Sequence, residues 1–407
     1  MRTGQGVGRP DSDNFGGIHN CSDTDSIGAA ASLWNFLQFF RFRAIPAVLL
    51  AGRATIRVLV FAAIATVFSL AWRQFNQVPL LAIGQPVTTG MLQREMEAPF
   101  FANLQRATGL PLKVTYKPLD STGFKDTFQL QMLKENTVDL VSLRFIQNSQ
   151  QEPGLLGIDL LGFSRDFAQA RQVTAAYFPT VNRYLARTAN ARLLAVWTFG
   201  PQVLFCNKPI QGLMDVRGMK VRVANEANGI VFKELGAIPA VIPFDQTENA
   251  LAIGLIDCAV TSAASANHAG WLKYAKVQFQ LPIHFGINGY AITLDKWNAL
   301  SPGQRQVLAR TFKAYEQRLW SYSETLEAEV TRCNTGGPCR RANPYQLQLV
   351  RPSSEDFALL QEIARRKLLP AWGQSCERIH PGCLQEWRST FQFHGQPRQS
   401  HPVSPAL

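Results

Sequence analysis

Little of this chain is charged. Asp, Glu, Lys and Arg make up 17% of the 407 residues, against 46% hydrophobic ones. That balance excludes a self-repelling disordered chain and leaves apolar material for two domains with cores of their own. Acidic residues are the scarcer sign, 29 against 41 basic, for a formal net charge of +12. Such an excess suits nucleic acid, an anionic membrane surface or an anionic ligand. The basic residues are scattered, and the short runs Arg340-Arg341 and Arg365-Arg366-Lys367 have no aromatic platforms beside them. Nucleic acid is therefore not an expected partner. The constellations of a chemical mechanism are missing too. There is no G-x-S-x-G, no G-x4-G-K-[ST] and no H-E-x-x-H, and the six His residues include no i, i+4 pair. No catalytic residue, metal or cofactor is expected.

Cysteine is informative by its spacing. Cys333 and Cys339 bracket NTGGP, and Cys376 and Cys383 bracket ERIHPG. Two local disulfides in an oxidising compartment are the natural reading. Zinc competes, with His380 inside one loop, but neither spacing is of the C-x2-C kind. Cys206 and Cys258 each fall in an apolar strand pattern and read as buried thiols.

Residues 1–40 are rich in Gly, Asp, Ser and Asn. They read as a disordered leader or a translation begun upstream of the true start. Within residues 41–72, Arg41, Arg43, Arg53 and Arg57 precede the uncharged, mostly apolar run Val58 to Trp72. This is the order of a secretory signal, and Ser69 and Ala71 offer a small-x-small cleavage site. Release into a bacterial periplasm and retention as an N-terminal anchor both follow from such a segment. Export and the paired cysteines support each other.

The chain is organised around residues 213–262. Met219 to Val223 alternates apolar and basic residues at strand period, which sends Lys220 and Arg222 to one face, taken as the polar one. A short helix is expected over 227–235, ended by Gly236, followed by the strand AVIP. The helix ENALAIGLI leads past Gly254 into a further strand at Ile256 to Val260. Short connections in a β-α-β-α-β order imply parallel strands.

The succession D-x-x-G-x-K-x-R-V (Asp215 to Val223), L-G-A-x-P (Leu235 to Pro239) and A-L-x-x-G-x-I-D (Ala250 to Asp257) resembles the substrate-binding subunits of tripartite ATP-independent periplasmic (TRAP) transporters, of the dicarboxylate-receptor-like kind. The resemblance covers roughly residues 78–392. It implies a two-domain α/β periplasmic binding protein, type II-like, with a long helix spanning both domains. It also implies that the arginine of the K-x-R strand, here Arg222, clamps a substrate carboxylate. Arginine suits that role because its planar guanidinium offers two parallel charge-assisted hydrogen bonds. Trp297 and Leu300, before the expected Ser301-capped long helix with Pro302 in its first turn, carry a further part of the match. The chain departs from the family at Gly200-Pro201-Gln202, where a G-x-R pattern often supplies a second arginine. Gln202 is an uncharged replacement. The Pro of a D-L-P-F segment is also absent from Gly157 to Phe163.

Expected domain bounds are 78–200 with 287–315 for the first α/β domain, and 201–286 with 340–392 for the second. Residues 316–339 form the end of the spanning helix and a Cys-closed loop, and 393–407 a disordered tail. Within 78–200, a Ser-capped helix is expected to lead from Ser121 into the strand VDLVSL. A cleft between such domains is lined by loops at the C-terminal ends of strands. That rule nominates Thr89, Arg144, Trp197, Gln202, Thr261 and Ser262 beside Arg222. His284 reads as a satisfied core or hinge histidine, and Asp215 and Arg217 as turn residues. The expected function is capture of an organic acid and its delivery to a TRAP-type permease for ion-gradient-driven uptake, by a monomer or a homodimer. A membrane-anchored extracytoplasmic sensor, or an exported enzyme on the same scaffold, are the alternatives.

Overall fold

The computed structural model describes residues 62–64 and 77–392. Contacts divide the chain into a unit 1–71 and a unit 72–407. In the first, residues 62–64 are helical. The expected leader, the rest of the 58–72 run and the tail from 393 lie outside the described residues.

The second unit holds the strands β1 (Val78–Gly84), β2 (Leu112–Pro118), β3 (Leu140–Arg144), β4 (Ala191–Thr198), β5 (Gln202–Cys206), β6 (Lys220–Val223), β7 (Ile238–Val241), β8 (Cys258–Thr261), β9 (Val277–His284), β10 (Ile287–Thr293) and β11 (Gln348–Val350). They form a five-stranded sheet in the order β2-β1-β3-β10-β4 and a six-stranded sheet in the order β11-β9-β5-β8-β6-β7. β6 runs parallel to both β7 and β8, as short helical crossovers between them require. β10 lies antiparallel between β3 and β4. Two sheets with helices packed on them make a mixed α/β architecture.

The chain passes between the sheets at β4 to β5 and again at β9 to β10. The two passages are tied together: Phe199 N donates to Gly286 O at 3.3 Å, and the Thr198 hydroxyl donates to Phe285 O. Gly200 (φ 94°) and Gly286 (φ 60°) occupy left-handed conformations at these turns, where a side chain would be strained. At Gly286 a Cβ would also meet the Gln202 amide at 2.8 Å.

The principal helices are α1 (Ala98–Thr108), α2 (Phe167–Thr188), α3 (Glu226–Glu234), α4 (Ala263–His268), α5 (Pro302–Asn334), α6 (Ser354–Ile363), α7 (Leu369–Glu377) and α8 (Cys383–Gln392). α5 starts at a capping box between Ser301 and Gln304, with Pro302 in its first turn. Its N-terminal half places Leu308, Phe312, Tyr315 and Leu319 in a cluster with Phe100, Phe101 and Tyr290 of the five-stranded side. Its C-terminal half places Leu326 and Val330 with Phe205 and Trp271 of the six-stranded side. One helix is thus anchored in both cores, each fully buried side chain contributing about 1.5–3 kcal/mol. It also closes the open edge of β4: Glu316 accepts from Val196 N, and Trp320 Nε1 donates to Val196 O. β11 extends the six-stranded sheet, whereas α7 and α8 fold back onto the 153–158 turn and α2. There Trp372 and Trp387 donate to Pro153 O and Gly157 O, both at 2.8 Å.

Three cysteine pairs are bonded, Cys333–Cys339, Cys376–Cys383 and Cys206–Cys258. The first two close the local loops read from the spacing. The third corrects the reading of Cys206 and Cys258 as buried thiols. β5 pairs antiparallel with β8, and the register sets the two residues directly opposite, with Cα atoms 4.1 Å apart. Strand order across a sheet is not visible in either segment alone. His380 is buried and stacked on Tyr184 at 3.7 Å, with its Nε2 2.8 Å from Glu152. The Ser-capped helix after Ser121 does not form. Ser121 bonds back to Pro118 O, Gly123 turns the chain at φ 77°, and the helix begins at Gln129 without a side-chain cap.

Candidate functional site

Between the two sheets, beside the crossovers, lies a cleft of about 630 Å³ counting the space open to solvent. Arg222 reaches it from β6 and Arg144 from the end of β3. Thr89, Gln202 and Thr261 line it as the strand-end rule expects. Trp197 and Ser262 do not. Trp197 lies in the core of the five-stranded side, packed against Phe199 and Tyr290. Ser262 is buried and caps α4, accepting from Ser265 N at 3.3 Å.

Arg222 is 4% exposed, so the face it shares with Lys220, read as the polar one, is not open to solvent at Arg222. Lys220 is exposed at the start of the strand, whereas Arg222 sits on a face covered by the neighbouring segments. Its Nε donates to Ile242 O at 2.8 Å and an Nη to Val260 O at 3.1 Å, and the guanidinium carbon lies 5.3 Å from the centre of the Trp271 ring. These contacts fix its direction without neutralising it. Among the described residues no carboxylate forms an ion pair with it. Burial, and then the positive charge of Arg144, push its pKa down to about 9, with Asp245 opposing weakly. A cation so placed gains from any anion that reaches it.

Arg144 stands differently. Its Nη1 pairs with Asp126 at 3.0 Å, and Gln129 Oε1 holds its backbone N–H. Burial still pushes its pKa down, with Asp126 pulling it back, and its Nε has no acceptor among the described residues. Opposite Arg144 in the sheet register stands Asn288 of β10, which also lines the cleft.

The crossover itself presents polar groups. Asp159 accepts from Phe285 N at 2.9 Å and Ile287 N at 3.1 Å, and its Oδ2 lies 3.0 Å from His284 Nδ1. Gly286 N–H donates toward the same nitrogen at 3.1 Å. His284 Nε2 lies 3.3 Å from the Asn228 side-chain nitrogen. His284 is thus a satisfied hinge histidine, as read from the sequence, and also part of the cleft wall. Reasoning from sequence did not single out Asn228 or Asn288. Asn228 stands in the first turn of α3, directly after the β6 strand end; the strand-end rule extended by one helical turn would have reached it. Asp215, by contrast, does what its position suggests, accepting from Gln211 N and Gly212 N in the turn before β6.

Comparison with known proteins gives a consistent picture. The model of the family described as bacterial extracellular solute-binding protein, family 7, matches residues 91–334. The sialic acid-binding periplasmic protein SiaP of Vibrio cholerae is 22% identical over 284 residues, 69% of this chain and 85% of that protein. Among solved structures, DctP7 of Bordetella pertussis, an extracytoplasmic solute receptor binding pyroglutamic acid, superposes with a TM-score of 0.66 at 16% identity, covering 77% of this chain and 99% of that one. A TRAP periplasmic solute-binding protein from Rhodoferax ferrireducens with bound malonate gives 0.64 at 17% identity, covering 78% and 100%.

Proposed function

The chain belongs to the bacterial extracellular solute-binding proteins, family 7, and from that premise we propose that it captures a small organic acid between its two sheets, with Arg222 as the carboxylate clamp. It is a TRAP-type substrate-binding protein, and the partner it hands its ligand to is then a TRAP-type permease. The observation that carries the proposal is the state of Arg222: buried, aimed by two carbonyls and a ring, and facing a second cation with no acid paired to it. An anion entering there relieves both burial and repulsion, so it favours the closed arrangement by its differential affinity. The relatives named above, whose ligands include pyroglutamic acid and malonate, support an acidic ligand. Gln202 holds Gly200 O at 2.9 Å at the hinge, where the family often has a second arginine; Arg144 supplies the second cation instead. Residues 58–72 deliver the protein to the periplasm, released or anchored. Among the described residues no helix is long and apolar enough to cross a membrane, and the processed N-terminus distinguishes release from anchoring.

A thermal-shift screen against organic acids and their neutral amides tests the proposal. A ligand at a thousand times its Kd stabilises by about 4 kcal/mol. Stabilisation by acids and not by the matching amides is expected; amides stabilising equally would remove the clamp.

A further inference from the structure

The cleft contains a buried acceptor as well as its cations. Asn228 Oδ1 has no hydrogen-bond donor among the described residues, and Asn228 is only 2% exposed. Its orientation is set by a chain of contacts running from the crossover. Two groups meet His284 Nδ1, the Asp159 carboxylate at 3.0 Å and Gly286 N–H at 3.1 Å; the carboxylate can only accept and is the charged one, so it outweighs the amide and holds the proton at Nδ1. That leaves the Nε2 lone pair to accept from the Asn228 NH2 group at 3.3 Å. With its amide nitrogen committed to His284, Asn228 keeps its oxygen as a buried, unpaired acceptor on a side chain that lines the same cleft as Arg222 and Arg144. On the other side Arg144 Nε is a buried donor without an acceptor among the described residues. A ligand that fills the cleft must supply an acceptor to Arg144 and a donor to Asn228, or leave a buried polar atom unpaired.

We infer that Asn228 is a specificity-determining residue, and that the preferred ligand is an organic acid carrying an N–H or O–H donor close to its carboxylate, such as a lactam acid or a hydroxy acid. The inference rests on the carboxylate reading and sharpens it. A site built around an unpaired acceptor discriminates strongly against analogues lacking the donor, because the loss is borne by a buried group. Asp159 and His284 act through Asn228 as positioning residues. They also make Asn228 rigid enough to discriminate, since its amide cannot turn over without losing the His284 contact.

Calorimetric titration of the full chain with matched acid pairs tests this. The pairs are pyroglutamate with its lactone analogue 5-oxotetrahydrofuran-2-carboxylate, pyroglutamate with N-methylpyroglutamate, lactate with propionate, and malate with succinate. In each pair that binds, the donor-bearing acid should bind at least about tenfold tighter. In Asn228→Ala the ratio should fall to within about threefold while both acids still bind, and Arg222→Ala should weaken both members of a pair alike. The wild-type ratios stand as a test even if Asn228→Ala fails to fold. Acids binding with equal affinity with and without the donor would overturn the inference and leave carboxylate capture in place. No acid of the panel binding would overturn the carboxylate reading, and this inference with it.

Discussion

Two arginines face the same cleft, one from each sheet, and they are held in opposite ways. Arg144 has a carboxylate of its own, Asp126, at 3.0 Å. Among the described residues Arg222 is held by carbonyl oxygens and the face of Trp271, with no ion pair. Both lose pKa to burial, but at Arg144 the loss is opposed by the charge and the hydrogen bond of Asp126, whereas at Arg222 the charge of Arg144 adds to it and Asp245 opposes through charge alone. The difference separates a cation that is largely neutralised within the protein from one kept for a visitor. A permanently paired guanidinium gains little from a ligand, because the ligand competes with the partner it already has. An aimed and unpaired one gains the full charge-assisted bond.

The comparison breaks most sharply at Arg222. Arg222→Ala should cost about 2–5 kcal/mol of acid affinity in calorimetry, the range for losing one partner of a buried charge pair. The effect at Arg144 should be smaller: Arg144→Ala is expected to weaken binding by roughly 1–2 kcal/mol, because Asp126 already offsets part of its charge. Equal losses at the two positions would erase the distinction. Asp126→Asn sharpens it in the other direction. Freeing Arg144 from its partner should raise acid affinity slightly, by about 0.5–1 kcal/mol, and lower thermal stability by a similar amount.

A buried acid elsewhere on the spanning helix gives the contrasting pH behaviour. Glu327 lies beside Gly200 at the crossover and accepts from Ala263 N at 3.2 Å. Burial pushes its pKa up to about 8, against the opposing hydrogen bonds of Ala263, Ala264 and Gln280. In the folded protein it therefore holds a proton that the unfolded chain releases near the ordinary carboxylate range. Between that range and about pH 8 the folded state binds more protons, so stability contributed by this group falls as pH rises. Glu327→Gln should flatten the decline of Tm over that interval, and an unchanged slope would show that the group titrates normally.

The sequence made the parallel β6-β7-β8 unit legible because its signals are local: alternating residues, Gly236 and Gly254 as helix stops, and connections too short for any other arrangement. The long helix was legible for the same reason, from Ser301, Pro302 and the periodic run behind them. What escaped was set by pairing between distant segments. Cys206 meets Cys258 only because β5 lies beside β8, and Arg222 is buried only because the segments ending in Ile242 and Val260 close over it. Trp197 illustrates the limit of the strand-end rule, which finds the end of the strand but not which of its last residues the core covers. Asn228 illustrates the opposite case, since its part in the cleft comes from His284 and Asp159, far away in the chain.

The most direct test of Arg222 as the clamp is a cycle that crosses protein and ligand. The tightest-binding acid from the screen and its primary carboxamide are each titrated into wild-type protein and into Arg222→Ala, giving four affinities and one coupling energy between guanidinium and carboxylate. The expected coupling is at least about 1.5 kcal/mol, with the acid's advantage over the amide largely gone in the variant. A coupling near zero, with the acid keeping its advantage in Arg222→Ala, would contradict the assignment of Arg222 as the carboxylate clamp.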